Sequence, residues 1–129
     1  KGWAGKPYYG FDRRVAMDVL KIRPYRRHLL LCTGPRCTQG ESAALWASLG
    51  ERFRSAGIDE DDRVRVKRTQ CSCFAVCRGG PIVCVQPDGV WYHSVTSEVM
   101  DRSVREHLKE GRVVEEHVFH RGPQITVQE

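Results

Sequence analysis

An α/β fold is expected for this chain of 129 residues, on three observations. A short apolar run, an amphipathic stretch of helical period and an alternating stretch follow one another as a β-α-β unit. Two more strand-like runs flank Pro87-Asp88-Gly89, a tight-turn signature. A second helical stripe closes the series, giving the order β-α-β, loop, β-β-α.

The elements are read in chain order. Residues 1–27 form a basic extension, with eight Lys/Arg against two Asp, whereas residues 28–129 carry thirteen against fourteen acidic residues. Within the extension, Lys1 to Phe11 is Gly- and aromatic-rich and has no clear period. Asp12 can cap a short helix reaching about Lys21, with Val15, Ala16, Val19 and Leu20 on one face, and Pro24 would end it. Such a segment either folds back onto its own domain or serves as a basic arm for an acidic partner.

The domain of residues 28–129 starts with His28-Leu29-Leu30-Leu31-Cys32, an apolar run that reads as a buried strand and breaks at Gly34-Pro35. Glu41 to Ala56 reads as a helix, with Leu45, Leu49, Phe53 and Ala56 along one face and Gly57 just past its end. Arg63 to Lys67 alternates as a half-exposed strand. Ile82 to Gln86 and Val90 to His93 are the hairpin strands. Thr96 to Glu110 is the final helix, with Met100, Val104 and Leu108 in a stripe and Gly111 after it. Residues 113–129 are a tail in which Val113 to Phe119 can add a last edge strand.

Chemistry concentrates in the cysteines. Cys32 and Cys37 form a Cys-x4-Cys pair, Cys73 and Cys77 a Cys-x3-Cys pair, and both pairs lie in loops rich in Gly and Pro. Four thiolates can complete the coordination of two irons in a [2Fe–2S] cluster, or of one tetrahedral zinc ion. The third cysteine of the plant-type ferredoxin run is absent, because Gly40 stands there. Disulfides are a poorer account: a chain of this size can bury a core without staples, and cysteines clustered this way suit a metal in a reducing compartment. If the first two strands are parallel neighbours, both loops leave the same edge of the sheet and the four sulfurs can converge near the surface.

Other residues have plainer readings. Cys71 is expected as an ordinary thiol beside Cys73, though a substitute ligand by position, and Cys84 as a small core residue. Gly79, Gly80 and Pro81 shape the second loop and can offer backbone N–H groups to sulfur. Arg36 and Arg78 neighbour the ligand loops. Trp46 and Trp91 read as core or interface aromatics. His28, His93, His107, His117 and His120 are scattered without ligand spacing. Paired carboxylates, a Ser/Cys–His arrangement and phosphate-binding glycine motifs are all missing from the sequence, so no catalyst is expected. No apolar run reaches the roughly 18 residues of a membrane span, no signal peptide is legible, and no nucleic-acid-binding motif surrounds the aromatics.

The ordered series Leu30-Leu31-Cys32-Thr33-Gly34-Pro35-Arg36-Cys37, then Cys73-Phe74-Ala75-Val76-Cys77-Arg78-Gly79-Gly80-Pro81, then Pro87-Asp88-Gly89-Val90-Trp91-Tyr92 resembles the thioredoxin-like [2Fe–2S] ferredoxins. That family also includes the small cluster-binding subunit of respiratory NADH dehydrogenase. The resemblance runs through most of residues 28–119. It implies a thioredoxin-like fold with a mixed sheet of about four strands and flanking helices. It also implies Cys32, Cys37, Cys73 and Cys77 as ligands of one [2Fe–2S] cluster per chain, one-electron transfer between redox enzymes, and a homodimer. A cytoplasmic carrier with acidic redox partners is the expectation; the alternatives are a dedicated electron-transfer subunit or donor of one larger enzyme, or a structural zinc-binding interaction module. The long basic extension, Cys71 and Cys84 are additions to the family frame.

Overall fold

The computed structural model describes residues 20–76 and 78–123. The helix expected from Asp12 therefore lies almost wholly outside the described residues, as do Cys77 and the tail beyond Pro123.

Strand β1 (Arg27–Cys32) leads through the first cysteine loop into helix α1 (Glu41–Ala56), and β2 (Val66–Cys71) leads into the second cysteine loop. Strands β3 (Val83–Gln86) and β4 (Val90–Tyr92) form the hairpin. Helix α2 (Ser97–Arg102) continues as a wider, π-wound segment over Ser103–Lys109, and a short turn leads to β5 (Val118–Arg121). The sheet order is β2-β1-β3-β4-β5, with β1 and β2 parallel and the other neighbours antiparallel. This is the expected mixed α/β sheet with one strand more than the expected four, because the tail pairs with β4 as an edge strand.

Helix α1 ends where expected, since Gly57 adopts the left-handed conformation (φ 74°) and its N–H returns to carbonyls of the last turn. Thr96 caps α2 by accepting a hydrogen bond from Val99 N. Leu45, Leu49 and Phe53 of α1 join Met100, Val104 and Leu108 in one core over Leu29, Leu31, Val83, Val85, Val90 and Tyr92. Those strand residues alternate, so Leu30, Cys32, Cys84 and Trp91 project to the sheet face without helices.

Strand β2 differs from expectation. Asp61 holds Arg63 and Val64 in a turn by accepting from both backbone N–H groups at 3.0 Å, so the first half of the alternating stretch is not strand. Pairing begins at Val66, opposite Arg27, and runs to Cys71, opposite Cys32. The partner strand thus fixes bounds that the alternation misplaces by three to four residues.

A buried polar chain ties the hairpin to α2. Tyr92 Oη accepts from Val114 N at 3.0 Å, which directs its hydroxyl hydrogen to His107 Nδ1 at 2.7 Å. His107 Nε2–H is then left to donate to Asp88 Oδ2 at 2.7 Å, and that same oxygen accepts from Arg27 Nε at 3.0 Å. Burial lowers the pKa of the fully buried His107, and burial raises Tyr92 to about 12. At Asp88 burial pushes upward, yet the opposing pull of His107 and Arg27 leaves the carboxyl below its ordinary value.

At the start of β1, Arg23 pairs with Asp62 at 2.7 Å, and Arg26 N donates to Arg65 O at 2.7 Å. The Arg23 side chain and the Arg26 backbone of the extension are thus engaged with the domain. They lie at the opposite end of β1 from Cys32, about 17 Å away along a strand of this length.

Candidate functional site

The parallel pairing of β1 and β2 puts both cysteine loops at one end of the sheet. Cys32 ends β1 and Cys71 ends β2. Thr33 N donates to Cys71 O at 2.8 Å, which carries the ladder up to the point where the loops begin.

Two glycines lock the loops together. A Cβ on Gly34 would fall 1.9 Å from Ser72 O, in the backbone between Cys71 and Cys73. A Cβ on Gly80 would fall 2.4 Å from Cys37 O and 2.6 Å from Cys37 Sγ. Neither glycine has a positive φ. Close approach alone excludes a side chain at these two positions, each beside a cysteine of the other loop.

Further contacts hold the second loop. Ala75 N donates to Cys73 Sγ at 3.1 Å, with Ala75 itself at φ 64°. Phe74 packs edge-on against Trp91 with ring centroids 4.9 Å apart, which draws the loop onto the helix-free face. Gly79 O accepts from Ser94 N at 2.6 Å, and Pro81 O from Val95 N at 3.1 Å. The Gly80–Pro81 and Gln86–Pro87 peptide bonds are cis.

Between the loops lies a cavity of about 260 Å³ lined by Cys32, Gly34, Pro35, Arg36, Cys37, Ser72, Cys73 and Val76. Three of the four expected ligands therefore share one cavity, and Cys77 lies outside the described residues. Among the described residues no three His, Cys, Asp or Glu side chains stand close enough to hold a metal ion on their own. Cys32 is buried, Cys37 half-buried and Cys73 exposed, so the cavity opens at the surface. Arg36 is exposed on its lining, and Arg78 is exposed farther along the second loop.

Burial pushes the Cys37 thiol up, with Cys32 adding to the rise while Ile82 and Ser42 oppose it. Burial also raises the Cys71 thiol, and the nearby Cys32 and Cys73 contribute. Cys84 is 2 % exposed and also raised by burial; Gln86 Nε2 donates to its sulfur at 3.2 Å. It is a core thiol of β3, as its sequence neighbours suggested. Cys71, expected as a bystander, stands directly beside Cys32; seeing that needed the register of β2.

The arrangement has the chemistry of a soft-metal site. The sulfur donors come from two rigidly joined loops, a backbone N–H already points at one sulfur, and the glycines keep the space free. Ser42 Oγ is buried without a hydrogen-bond partner in the first turn of α1, beside Cys37. Its hydroxyl is placed to donate to the Cys37 sulfur. These residues fit an iron–sulfur cluster held by thiolates.

The fold and the thiol-lined cavity define the class: an α/β protein with a cysteine-lined cavity at the end of two parallel strands. No protein-family model matches the chain. It is 32% identical over 97 residues to a 2Fe-2S ferredoxin of Clostridium pasteurianum, covering 69% of this chain and 91% of that protein. With a 2Fe-2S ferredoxin of Aquifex aeolicus it shares 32% identity over 104 residues, covering 74% and 91%. A solved thioredoxin-like [2Fe-2S] ferredoxin from Aquifex aeolicus superposes with a TM-score of 0.67 at 30% identity, covering 78% of this chain and 96% of that one. The chain belongs to the thioredoxin-like [2Fe–2S] ferredoxin family. Its cofactor is a [2Fe–2S] cluster and its role is one-electron transfer, which sets aside the zinc alternative.

Proposed function

We propose that Cys32, Cys37, Cys73 and Cys77 hold one [2Fe–2S] cluster per chain, and that the protein shuttles single electrons between redox enzymes without being a catalyst itself. The observation that carries this reading is the cavity lined by Cys32, Cys37 and Cys73 between loops interlocked by Gly34 and Gly80. When bound, the cluster supplies a reversible one-electron couple. The chain's own residues hold the sulfurs, exclude bulk water from Cys32 and tune the potential. Ala75 N–H, and Ser42 O–H through Cys37, favour the more negative reduced state and raise the potential.

Partner contact belongs at the open edge of the cavity. Arg36 is exposed there, Arg78 is exposed on the second loop, and both complement an acidic surface on a redox partner. The helix-free sheet face, with Trp91 half-buried and Phe119 42% exposed, suits a second copy of the chain. A homodimer in a reducing cytoplasm is the proposed working form; among the described residues no helix is long and apolar enough to cross a membrane.

The test is spectroscopic. Anaerobically purified protein should be red-brown, contain two irons and two sulfides per chain, and give an electron paramagnetic resonance signal on one-electron reduction. Serine at any of the four positions should abolish or strongly alter that signal, whereas Cys84→Ser should leave it unchanged. A normal cluster in Cys32→Ser or Cys37→Ser would reject the ligand set.

A further inference from the structure

We propose that Cys71 is a modification site: when the Cys32 sulfur is free of iron, a peroxide joins the two residues in a disulfide that prevents cluster loading. The inference rests on the reading of Cys32 as a ligand. Cys71 has no place in the proposed ligand set and lines no part of the cavity. Its position is set by the sheet.

Strands β1 and β2 run in parallel register over six pairs, and the last pair is Cys32 with Cys71. Neighbouring strands lie about 4.8 Å apart. That spacing falls inside the Cα–Cα window of about 4.4–6.8 Å in which two cysteines can be bridged. Both side chains leave the sheet on the helix-free face, because the intervening Leu31 belongs to the core and paired residues share a face. The pair closes the ladder, and beyond it both chains turn into loops. The backbone can therefore give slightly there without disturbing the interior of the sheet.

The other buried thiol of this face is less well placed. Cys84 lies on the same face, but β3 is on the far side of β1 from β2. Two strand spacings, about 10 Å, separate it from Cys71, beyond the bridging window. Exposure assigns the roles within the pair: Cys71 is half-buried and within reach of a small oxidant, whereas Cys32 is 3% exposed.

The oxidant is a peroxide, with hydrogen peroxide the simplest case. The Cys71 sulfur attacks one peroxide oxygen, the O–O bond breaks, and the sulfur becomes a sulfenic acid as the first water leaves. The Cys32 sulfur then attacks the Cys71 sulfur; the S–S bond forms, the S–O bond breaks, and hydroxide leaves with the Cys32 proton as the second water. Two thiols have given two electrons to one peroxide. Reversal requires a dithiol reductant, which takes the disulfide and restores both thiols. The consequence is a lock: an oxidised chain keeps its fold but cannot offer Cys32 to iron.

The test uses the full-length holo-protein. Hydrogen peroxide is added until the visible absorption is lost, free thiols are alkylated, and the digest is mapped by mass spectrometry. A Cys32–Cys71 linked peptide is expected in the wild type and in Cys84→Ser, and its loss in Cys71→Ser. Before oxidation, Cys71→Ser should show the wild-type visible spectrum. After oxidation and a limited supply of iron and sulfide, the wild type should recover less absorbance than Cys71→Ser, and prior treatment with a dithiol should remove the difference. Links joining Cys32 to Cys37 or Cys73 to Cys77 in its place, or equal recovery of the two proteins, would overturn the proposal. Failure of the ligand reading is told apart by Cys32→Ser: if that variant keeps a wild-type cluster spectrum, the reading of Cys32 falls whatever the disulfide map contains.

Discussion

Gly34→Ala is the sharpest perturbation the structure offers, because it adds one methyl group and changes nothing else. The Gly34 φ is not positive, so alanine is tolerated by the backbone itself. Its Cβ would nevertheless fall 1.9 Å from Ser72 O, and real contacts of this kind begin near 3.0 Å. One loop must therefore retreat by about 1.1 Å, roughly twice the ~0.5 Å within which a functional constellation has to be held. Ser72 cannot turn aside, since the colliding atom is backbone and the neighbouring Cys71 O is held by Thr33 N at 2.8 Å. Overpacking of this type costs about 1–3 kcal/mol, less than the stability of a typical domain, so the chain should still fold. The prediction is a folded protein with wild-type far-ultraviolet circular dichroism but a large loss of iron, sulfide and visible absorbance per chain. Gly34→Ala with full iron content and an unshifted spectrum would refute the claim that loop contact at Ser72 positions the cysteines.

Further predictions test other parts of the molecule. Asp88→Asn removes the charge shared by Arg27 and His107 and should lower stability by about 2 kcal/mol in denaturant titration, with the cluster spectrum unchanged. Wild-type stability should fall as pH drops below 6.5, because the unfolded imidazole takes up a proton that buried His107, with its lowered pKa, does not. It should fall further below 3.8, because the unfolded Asp88 carboxyl takes up a proton before the native one with its depressed pKa, and this loss should be smaller in Asp88→Asn. At the alkaline end, stability should decline from pH 10 towards about 12 as unfolded Tyr92 ionises first. Ala75→Gly relieves a left-handed residue and should stabilise the protein by about 1 kcal/mol in the same titration. Removing residues 1–19 should leave spectrum and potential nearly intact while weakening the ionic-strength dependence of electron transfer to an acidic partner, followed by stopped-flow.

The sequence by itself determined what is local or chemically singular. Helix α1 was legible to its last residue, because Leu45, Leu49 and Phe53 keep a helical period and Gly57 supplies the left-handed stop. The Pro87-Asp88-Gly89 turn depends on neighbours a few residues away, and so does the thiol chemistry of Cys-x4-Cys and Cys-x3-Cys. The tertiary structure decided whatever depends on a distant partner. The alternation at Arg63–Lys67 could not reveal that Asp61 ties its first half into a turn, or that β1 selects Val66–Cys71 as its mate. Glycine is the same letter at positions 34, 57 and 80, yet Gly57 serves by its φ and the other two by the backbone packed against them. The same holds for Cys71, beside Cys73 in the chain and beside Cys32 in the sheet. Periodicity and turn chemistry are written in short windows, whereas register and close approach arise only when strands some 40 residues apart are brought to the roughly 4.8 Å spacing of a sheet.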